Sequence, residues 1–383
     1  MMKLAVVHDY FIQAGGAEKV AEELYVMLPG AKLFTTVALP DKMPSRLKGV
    51  PVRTSWMQKM PHVRELYRLY LFLYPFAVGS LDLSQFDLVV SSSSGYAKGI
   101  RTGPDTVHVC YCHTPMRWVW DFERYSSRET FTTLQKTLLP LMIKGLKKWD
   151  EAAAKQPDYY IANSHVVAER IKKAYGRSAE VIYPPIAVDR FSISDEREDH
   201  YLVLSRLVSH KRIDLAVRAC TMLNRPLWVI GTGPDEASLR AIAGPTVKFL
   251  GHLSDKDVNW FISRCRALLF PGEEDFGMTP LEAAAAGRPT IAYRAGGAVE
   301  TILDGVSGLF FDEQSAEHLA EAIERLEQQS WNPEALRRHA EKFSTHVFRE
   351  HFISFLNQVS IPARPDSVNR LVGNLYPAAG ASR

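Results

Sequence analysis

The chain has 383 residues, which is long for one hydrophobic core and comfortable for two domains. A hydrophobic content of 46% and a charged content of 23% are those of an ordinary soluble globular protein. The net charge of +3 is too small to indicate a nucleic-acid-binding protein, and no nucleic-acid-binding motif stands out.

Nothing in the sequence predicts a segment that enters a membrane. Residues 1–9 lack a long apolar stretch and a cleavage site, so they predict a first strand rather than a signal peptide. No run approaches the roughly 18 uninterrupted apolar residues of a membrane span. Four cysteines lie in apolar surroundings without metal-ligand spacing, which favours buried, reduced thiols. We therefore expect a cytoplasmic protein, either free or lying on a membrane surface.

Apolar, β-rich runs alternate with loops and with segments of helical periodicity along the whole chain. This alternation predicts parallel strands joined by crossover helices. The candidate strands form two series, residues 4–8, 88–91, 108–111 and 159–162, then 201–204, 227–230, 247–250, 267–270 and 290–293. Two series of strands favour two doubly wound α/β domains. Pro184-Pro185 and the charged stretch 194–199 place the boundary so that the domains cover 1–185 and 186–345.

In the first domain, Gly15 and Gly16 form a turn that opens the first helix. Similar glycine turns, 231–233 and 295–297, follow strands of the second domain. None of the three fits the full dinucleotide fingerprint. They are either the ordinary turns of an α/β protein or, at strand ends beside one crevice, a cradle for phosphate and sugar.

Residues 62–82 combine leucines and aromatic residues with Arg64 and Arg68, which are four positions apart. Such a helix can rest on an anionic bilayer surface, with basic residues such as Lys59 beside it. It is equally well interpreted as a core helix whose aromatic side chains pack inward. The sequence leaves both readings open.

His113 follows the third candidate strand and precedes a loop that contains two tryptophans, an arginine and an aspartate. A single histidine in a loop is more often structural. Tryptophan faces, however, make platforms for sugar rings, and arginine or aspartate can bind phosphate or hydroxyls. The cluster therefore favours a functional role for His113.

Arg206 follows the first strand of the second domain, and Ser209 is placed to cap the next helix. Lys211 and Arg212 would then lie in the first turn of that helix, where the helix dipole disfavours cations. A wet surface tolerates this arrangement. A bound diphosphate would favour it, because Arg206, Lys211 and the helix amides would all face the anion.

The strongest motif is the stretch 271–287, where a strand enters a loop with Glu274 and Gly277. A helix is predicted to begin with Thr279 as the N-cap, and Glu282 follows three positions later. Glu282 could simply close a capping box. At the carboxyl end of a parallel strand, however, such carboxylates face the ligand crevice and can accept hydrogen bonds from sugar hydroxyls.

Taken together, these segments resemble glycosyltransferase family 4, whose members are retaining enzymes with two Rossmann-like domains facing across a cleft, the GT-B fold. Glu274 and Glu282 resemble the family's Glu-x7-Glu pair, although Asp275 replaces the usual glycine after the first glutamate. The resemblance also implies that residues 346–383 form a C-terminal helix crossing back to the first domain, followed by a loose tail.

The resemblance implies a role for each candidate residue. Glu274 would contact the donor sugar, Glu282 would hold the ribose, and Arg206 and Lys211 would neutralise the departing diphosphate. His113 would orient the transferred sugar. Further contacts to donor and acceptor are implied for the glycine loop and for backbone amides at the start of the motif helix: Gly15, Gly16, Phe276, Gly277, Met278 and Thr279.

Within the family, three segments resemble bacterial polysaccharide mannosyltransferases: Val7-His8-Asp9-Tyr10, Gly15-Gly16-Ala17-Glu18 and the run 112–118. A helix over 62–82 that rests on the inner face of the bacterial membrane fits this resemblance. The resemblance implies GDP-mannose as the donor and a polyprenyl-diphosphate-linked oligosaccharide as the acceptor. Alternatives are a UDP-sugar donor, a soluble acceptor, a non-hydrolysing nucleotide-sugar epimerase and an inactive nucleotide-sugar-binding protein.

We expect neither a cofactor nor a metal, because no Asp-x-Asp follows a strand of the crevice. Asp255-Lys256-Asp257 has that spelling but is predicted to start a surface helix. The family favours front-side attack of the acceptor hydroxyl over a covalent intermediate on Glu274. Growing charge on the leaving diphosphate would be stabilised by the nearby cations and amides.

Overall fold

The computed structural model describes residues 2–13, 15–67, 69–121 and 133–359, with the backbone alone over 133–141. The chain divides into two compact units. The first takes in residues up to Tyr183 and again those from Phe348, and the second is Pro184–Val347. Arg68 and the predicted tail from residue 360 lie outside the described residues.

All strand pairs of the first unit are parallel. Its strands are β1 (Leu4–His8), β2 (Lys32–Thr35), β3 (Val52–Thr54), β4 (Asp82–Leu83), β5 (Leu88–Ser93), β6 (Arg101–Thr102), β7 (Val107–Cys112), β8 (Tyr159–Ala162) and β9 (Glu180–Val181). Seven of these form one sheet in the order β3-β2-β1-β5-β7-β8-β9, and β4 pairs with β6.

The described α-helices of the first unit connect these strands. They are α1 (Gly16–Val26), α2 (Val63–Leu66), α3 (Tyr74–Gly79), α4 (Arg117–Trp120), α5 (Thr133–Ala153) and α6 (His165–Tyr175). Short 3-10 helices occupy Pro40–Lys42, Ser45–Leu47, Trp56–Lys59 and Ala97–Gly99.

The second unit repeats this plan with six parallel strands. They are β10 (Tyr201–Leu204), β11 (Leu227–Ile230), β12 (Val247–Gly251), β13 (Leu268–Phe270), β14 (Thr290–Tyr293) and β15 (Gly308–Phe311), in the order β12-β11-β10-β13-β14-β15. Its helices are α7 (Ile213–Met222), α8 (Glu236–Ala241), α9 (Asp255–Arg264), α10 (Met278–Ala285), α11 (Ala298–Thr301), α12 (Ala316–Glu327) and α13 (Pro333–Glu341), with 3-10 helices at Val188–Arg190 and Ser209–Lys211.

Both sheets have the strand order of a doubly wound α/β fold, in which the order reverses beside the first strand of the unit. Helices cover both faces, so the central strands β1, β5 and β7 are buried along their whole length and are mostly apolar rather than alternating. In β1, for example, Val6 packs into one core and Val7 into the core on the opposite face. The prediction of two doubly wound α/β sheets is confirmed.

The last described helix, α14 (Thr345–Gln358), begins in the second unit and continues into the first. Phe348, Phe352 and Leu356 recur every four residues and are buried in the core beside α1. Arg349 of α14 also forms an ion pair with the buried carboxylate of Glu23 in α1 at 2.5 Å. The helix therefore completes the hydrophobic core of the first unit.

The prediction of one helix over residues 62–82 is wrong. The segment forms α2 and α3 with turns between them, and Pro75 lies in the first turn of α3, where it cannot continue a preceding helix. Tyr70 and Phe72 pack against the core, whereas Leu69 and Phe76 are each 70% exposed. The segment thus combines both readings of the sequence, with some aromatic side chains packed inward and two large apolar ones in solvent.

Among the described helices, none is long and apolar enough to cross a membrane. The four cysteines, Cys110, Cys112, Cys220 and Cys265, are buried free thiols, as the sequence predicts.

One buried carboxylate ties several elements of the first unit together. The side chain of Asp150, in the last turn of α5, is fully buried and lies 2.5 Å from the Lys98 ammonium. It accepts hydrogen bonds from Trp120 Nε1 at 2.7 Å and from the Tyr175 hydroxyl at 2.8 Å. Lys98 also donates to the carbonyl oxygen of Gly95. Asp150 therefore links the segments that follow β5, β7 and β8.

We expect Asp150→Ala to lower the free energy of unfolding by about 3–5 kcal/mol, because the change leaves the buried Lys98 ammonium without its counter-charge. Urea unfolding measures the loss. The control is Asp41→Ala, which removes an exposed ion pair with Arg64 and should leave the urea midpoint unchanged. Equal midpoints for the two variants would contradict this role of Asp150.

Candidate functional site

In the second unit, the predicted site residues follow the two strands at which the strand order reverses. Arg206 and Lys211 follow β10, and Glu274 follows the neighbouring strand β13. Ligands of open α/β sheets bind at such a switch point, beside the carboxyl ends of the strands. The structure brings Lys211 and Glu274 into an ion pair between Nζ and Oε1, with side chains 15% and 23% exposed. Arg206 is exposed on the same loop as Lys211.

The contact depends on close backbone packing at Gly272. A Cβ at this position would lie 2.8 Å from both the Cα and the carbonyl oxygen of Lys211. Only glycine lets the loop after β13 lie directly on the 3-10 helix Ser209–Lys211. Glu274, two residues further on, is therefore brought to the Lys211 ammonium.

The glycine turn 296–297 supports the same loop from the other side. The Gly297 amide donates to the carbonyl oxygen of Glu274 at 2.8 Å. A Cβ at Gly297 would lie 2.2 Å from the Cα of Phe276, and one at Gly296 would lie 2.3 Å from the Glu274 carbonyl oxygen. The side-chain space of both glycines is therefore filled by the loop that contains Glu274.

The glycine turn 231–233 supports the loop with Arg206 in the same way. Cβ atoms at Gly231 and Gly233 would lie 1.9 Å and 2.2 Å from the carbonyl oxygens of Ser205 and Leu207. The Leu207 amide in turn donates to the Thr232 carbonyl oxygen at 3.0 Å. Loop packing therefore explains these glycines of the second unit.

The predicted N-cap at Thr279 is wrong. The helix α10 begins at Met278, and Gly277 is the N-cap with φ of +90°. Only glycine adopts this left-handed conformation easily, so the backbone conformation at Gly277 sets the start of the helix. Met278 and Thr279 are the first two helical residues, and the half-buried Glu282 lies in the next turn. A capping box from Thr279 to Glu282 is therefore excluded.

The predicted cap at Ser209 and the placement of Lys211 and Arg212 in the first turn of a helix are also wrong. Ser209 and Lys211 belong to a 3-10 helix, and Arg212 is the N-cap of α7 with φ of +51°. Arg212 donates to both carboxylate oxygens of Asp214 at 3.1 and 3.2 Å. An acid in the first turn of α7 thus balances Arg212.

In the first unit, the order reverses between β1 and β5, and Asp9 follows β1 there. Its buried carboxylate accepts hydrogen bonds from the amides of Ser94 at 2.6 Å, Tyr96 at 2.8 Å and Ala97 at 2.5 Å. The Ser93 hydroxyl donates to it at 3.4 Å. Asp9 therefore fixes the backbone of the loop after β5.

His113 follows β7 on the same side of this sheet and is 8% exposed. Its Nε2 lies 2.8 Å from the hydroxyl of Ser92, the fifth residue of β5. Burial, reinforced by the neighbouring His8, lowers the pKa of His113 to about 3. The imidazole is therefore neutral at physiological pH.

Trp120, one of the tryptophans after His113, donates its ring N–H to the buried Asp150, and both tryptophans pack against the core. They thus have structural contacts of their own. Gly15 is the N-cap of α1 and Gly16 its first residue. A Cβ at Gly15 would lie 2.8 Å from Oε2 of Glu18, a buried carboxylate in the first turn of α1.

The sequence reasoning gave no site role to four residues at this edge of the first sheet. His8, Asp9 and Glu18 entered only as part of the family resemblance, and Ser92 was missed altogether. Their signals were a histidine at the end of an apolar strand and the run of four serines, 91–94, that ends β5. Polar residues at the carboxyl end of buried parallel strands face the ligand crevice or hold its loops.

Over the described residues, no group of three or more His, Cys, Asp or Glu side chains is arranged to hold a metal ion. Asp255 and Asp257 lie in the first turn of α9, after the N-cap Ser254, and both are exposed.

Solved structures with a similar fold are glycosyltransferases of the GT-B class. The crystal structure of Anabaena Alr3699/HepE in complex with UDP and glucose superposes with a TM-score of 0.69 at 17% identity, over 94% of this chain and 100% of that one. The apo form of the lipopolysaccharide outer core galactosyltransferase WaaB gives a TM-score of 0.63 at 18% identity, over 92% and 98% of the chains. The fold of the chain is therefore GT-B.

Two family models assign the chain. Residues 14–190 match the model described as Glycosyltransferase Family 4, and residues 187–343 match Glycosyl transferases group 1. The matches together extend from residue 14 to residue 343, and the chain belongs to the family 4 glycosyltransferases.

Among curated relatives, the human alpha-1,3/1,6-mannosyltransferase ALG2 is 26% identical over 295 residues, which is 66% of this chain and 68% of that protein. The GDP-mannose-dependent alpha-(1-6)-phosphatidylinositol monomannoside mannosyltransferase of Mycolicibacterium smegmatis is 30% identical over 194 residues. That match covers 42% of this chain and half the length of the mycobacterial protein.

We expect Gly297→Ala to destabilise the protein by about 1–3 kcal/mol, because the new methyl group must displace the backbone at Phe276. Gly145→Ala is the control, since Gly145 is exposed within α5 and a Cβ there meets nothing within 4 Å. That change should instead stabilise the protein by about 0.5–1 kcal/mol. Urea unfolding shows whether each variant lowers or raises the free energy of unfolding. A neutral Gly297→Ala would show that the loop packing is loose.

Proposed function

We propose that the chain transfers mannose from GDP-mannose to a polyprenyl-diphosphate-linked oligosaccharide, with retention of anomeric configuration, in the synthesis of a bacterial surface polysaccharide. The observation that carries the proposal is the Lys211–Glu274 pair at the switch point of the second sheet. The mannosyltransferase relatives support mannose, and the name of the mycobacterial relative supports GDP-mannose and a lipid acceptor.

The pair combines the two kinds of group that sugar transfer from a nucleotide diphosphate needs. Negative charge grows on the diphosphate as its bond to the anomeric carbon breaks, and the cations of Lys211 and Arg206 stabilise that charge. The Glu274 carboxylate accepts hydrogen bonds from hydroxyls of the sugar. Both cations lie on the loop after β10, and Glu274 lies on the loop after the neighbouring strand β13. The second unit therefore binds the donor in this proposal.

The chemical step is a front-side displacement. The bond from the anomeric carbon to the diphosphate oxygen breaks, and the acceptor hydroxyl forms its new bond on the same face of the sugar. The hydroxyl proton passes to the leaving phosphate oxygen. No residue forms a covalent intermediate in this scheme, and Lys211 and Arg206 supply the positive charge without a metal ion.

We expect GDP and GDP-mannose to raise the melting temperature of the protein, whereas UDP and UDP-glucose leave it unchanged. A ligand at 100 times its dissociation constant stabilises the folded state by about 2.7 kcal/mol, so the shift is measurable by a thermal-shift assay. Lys211→Ala should abolish the shift and lower the transfer rate by about 10²–10³-fold. The control is Lys256→Ala, which removes an exposed lysine at the start of α9.

Other outcomes of these assays point to the alternatives. Selective stabilisation by UDP would indicate a UDP-sugar donor. Turnover of the donor sugar without any acceptor would indicate an epimerase, and binding without turnover would indicate an inactive binding protein. Equal activity of the Lys211 and Lys256 variants would contradict the assignment of the site.

A patch of large exposed apolar side chains supports the lipid-linked acceptor. It consists of Trp56, 41% exposed, and of Leu69 and Phe76, each 70% exposed. The 3-10 helix with Trp56 packs against α2 and α3, and the exposed Lys59 ends it. Aromatic and aliphatic side chains beside a cation suit the surface of an anionic bilayer.

The patch is joined to the carboxyl edge of the first sheet. The Tyr96 hydroxyl, in the loop after β5, donates to the Leu71 carbonyl oxygen at 2.9 Å. Tyr74 of α3 stacks on the Tyr96 ring at 4.8 Å between centroids. A lipid surface that contacts the patch would thus lie beside the loops of the first unit, and in our proposal this unit binds the acceptor.

We expect the protein to float with vesicles of anionic phospholipid. The double variant Leu69→Glu, Phe76→Glu should stay in solution, because the two new carboxylates resist burial in the bilayer and are repelled by its negative surface. Met222→Glu is the control, since Met222 is a 58% exposed side chain of the second unit. Flotation of the double variant with the vesicles, or failure of the unmodified protein to float, would remove the membrane part of the proposal.

A further inference from the structure

Four polar side chains form a continuous buried chain at the carboxyl edge of the first sheet: Glu18, His8, Ser92 and His113. We refer to them as the His113 chain. They come from α1, β1, β5 and the residue after β7, so that the two strands of the switch point supply its middle. Only His113 belongs to the residues that the sequence predicts for the site.

The direction of the hydrogen bonds follows from the chemistry of the partners. His8 Nδ1 lies 3.2 Å from the carbonyl oxygen of Ser92 and 3.1 Å from its hydroxyl oxygen. A carbonyl oxygen only accepts, so His8 Nδ1 carries a proton and donates. The Ser92 hydroxyl cannot point its proton at this N–H. It therefore donates to His113 Nε2, 2.8 Å away.

This assignment fixes the proton on His113. Burial keeps the imidazole neutral, so it has one N–H, and Nε2 already accepts from Ser92. The proton of His113 is then on Nδ1. Which nitrogen of a histidine is protonated is generally set by the hydrogen bond that the other nitrogen makes.

Glu18 stands at the far end of the chain. Its side chain is 3% exposed, and Oε1 lies 4.0 Å from His8 Nε2. Oε2 has no hydrogen-bond partner among the described residues, and the side chain lies in the first turn of α1, where the helix dipole favours a negative charge.

We propose that His8 and Ser92 are positioning residues that hold His113 in the Nδ1–H form, so that it presents a hydrogen-bond donor to a hydroxyl of a sugar bound at this edge of the first sheet. This inference rests on the proposed function for the sugar, whereas the position of the proton can be measured without any substrate. The site is selective for a ligand group that accepts a hydrogen bond from a neutral imidazole.

The structure offers a matched control one residue away. The Ser91 hydroxyl lies 2.8 Å from Nε2 of His108, a second buried histidine, and burial lowers the pKa of His108 to about 3 as well. Ser91→Ala therefore removes a hydroxyl with the same kind of partner from the same strand. It leaves the His113 chain intact.

The experiment combines NMR of the imidazole nitrogens with kinetics of Ser92→Ala, Ser92→Thr and Ser91→Ala. The His113 signals are assigned with His113→Asn. We expect the Nδ1–H form of His113 in the unmodified protein, a shift towards the Nε2–H form in Ser92→Ala, and retention of Nδ1–H in Ser92→Thr and Ser91→Ala. The kcat of transfer should fall about tenfold or more in Ser92→Ala alone.

Two results would overturn the inference: an Nε2–H form of His113 in the unmodified protein, or a Ser92→Ala variant that matches Ser91→Ala in both tautomer and kcat. Each leaves the proposed function standing if sugar is transferred. Conversely, if no nucleotide sugar is turned over, the proposed function fails. The NMR comparison then still decides whether Ser92 sets the proton on His113.

Discussion

The ion pair between Lys211 and Glu274 is the contact on which the candidate site of the second unit depends. It joins two loops that are 63 positions apart in sequence but follow neighbouring strands, β10 and β13. Gly272 lets the second loop lie on the first, and Gly296 and Gly297 hold it from the other side. Since these side-chain positions are filled by backbone, the charged groups are held in place before any substrate arrives, which is the condition for effective electrostatic catalysis.

The first unit holds its switch point by a different means. In the first unit, buried polar groups fix the loops that glycines fix in the second unit. Asp9 accepts hydrogen bonds from three amides of the loop after β5, and Asp150 links the segments that follow β5, β7 and β8. Buried carboxylates with several donors are costly to disturb, because each lost partner leaves a charge without compensation. The two units therefore share a topology and stabilise their functional loops by different interactions.

Much of the fold could be predicted because buried parallel strands are mostly apolar on both faces. Five strands have the predicted bounds: β1, β8, β10, β11 and β14. The strands β3 and β9 were not predicted, because they lie at the edges of their sheet and have three and two residues, too few to show a hydrophobic pattern. The prediction of one continuous helix over 62–82 was wrong because it followed the hydrophobic periodicity. It ignored Pro75, since proline begins a helix but does not continue one.

For the candidate site, the sequence could predict only the position of each residue relative to the strands. Arg206, Lys211 and Glu274 follow strands, and parallel topology alone places them on one edge of a sheet. The helix caps were wrong because the local signals at Thr279 and Ser209 compete with tertiary packing, which sets the backbone of Gly277 and Arg212. Ser92 was missed because it lies within β5, where single-sequence reasoning assigns residues to the core, and His8 entered only as part of the family resemblance.

The helix α14 has a consequence for how the protein is made. Phe348, Phe352 and Leu356 complete a core whose other members begin at Leu4, so the first unit cannot finish folding until nearly the whole chain has left the ribosome. The second unit, a continuous stretch of chain, has no such delay. During translation the N-terminal sheet therefore keeps an apolar surface uncovered until α14 has been made. A stop codon directly before residue 348 would leave the second unit complete and remove the helix that closes the core of the first.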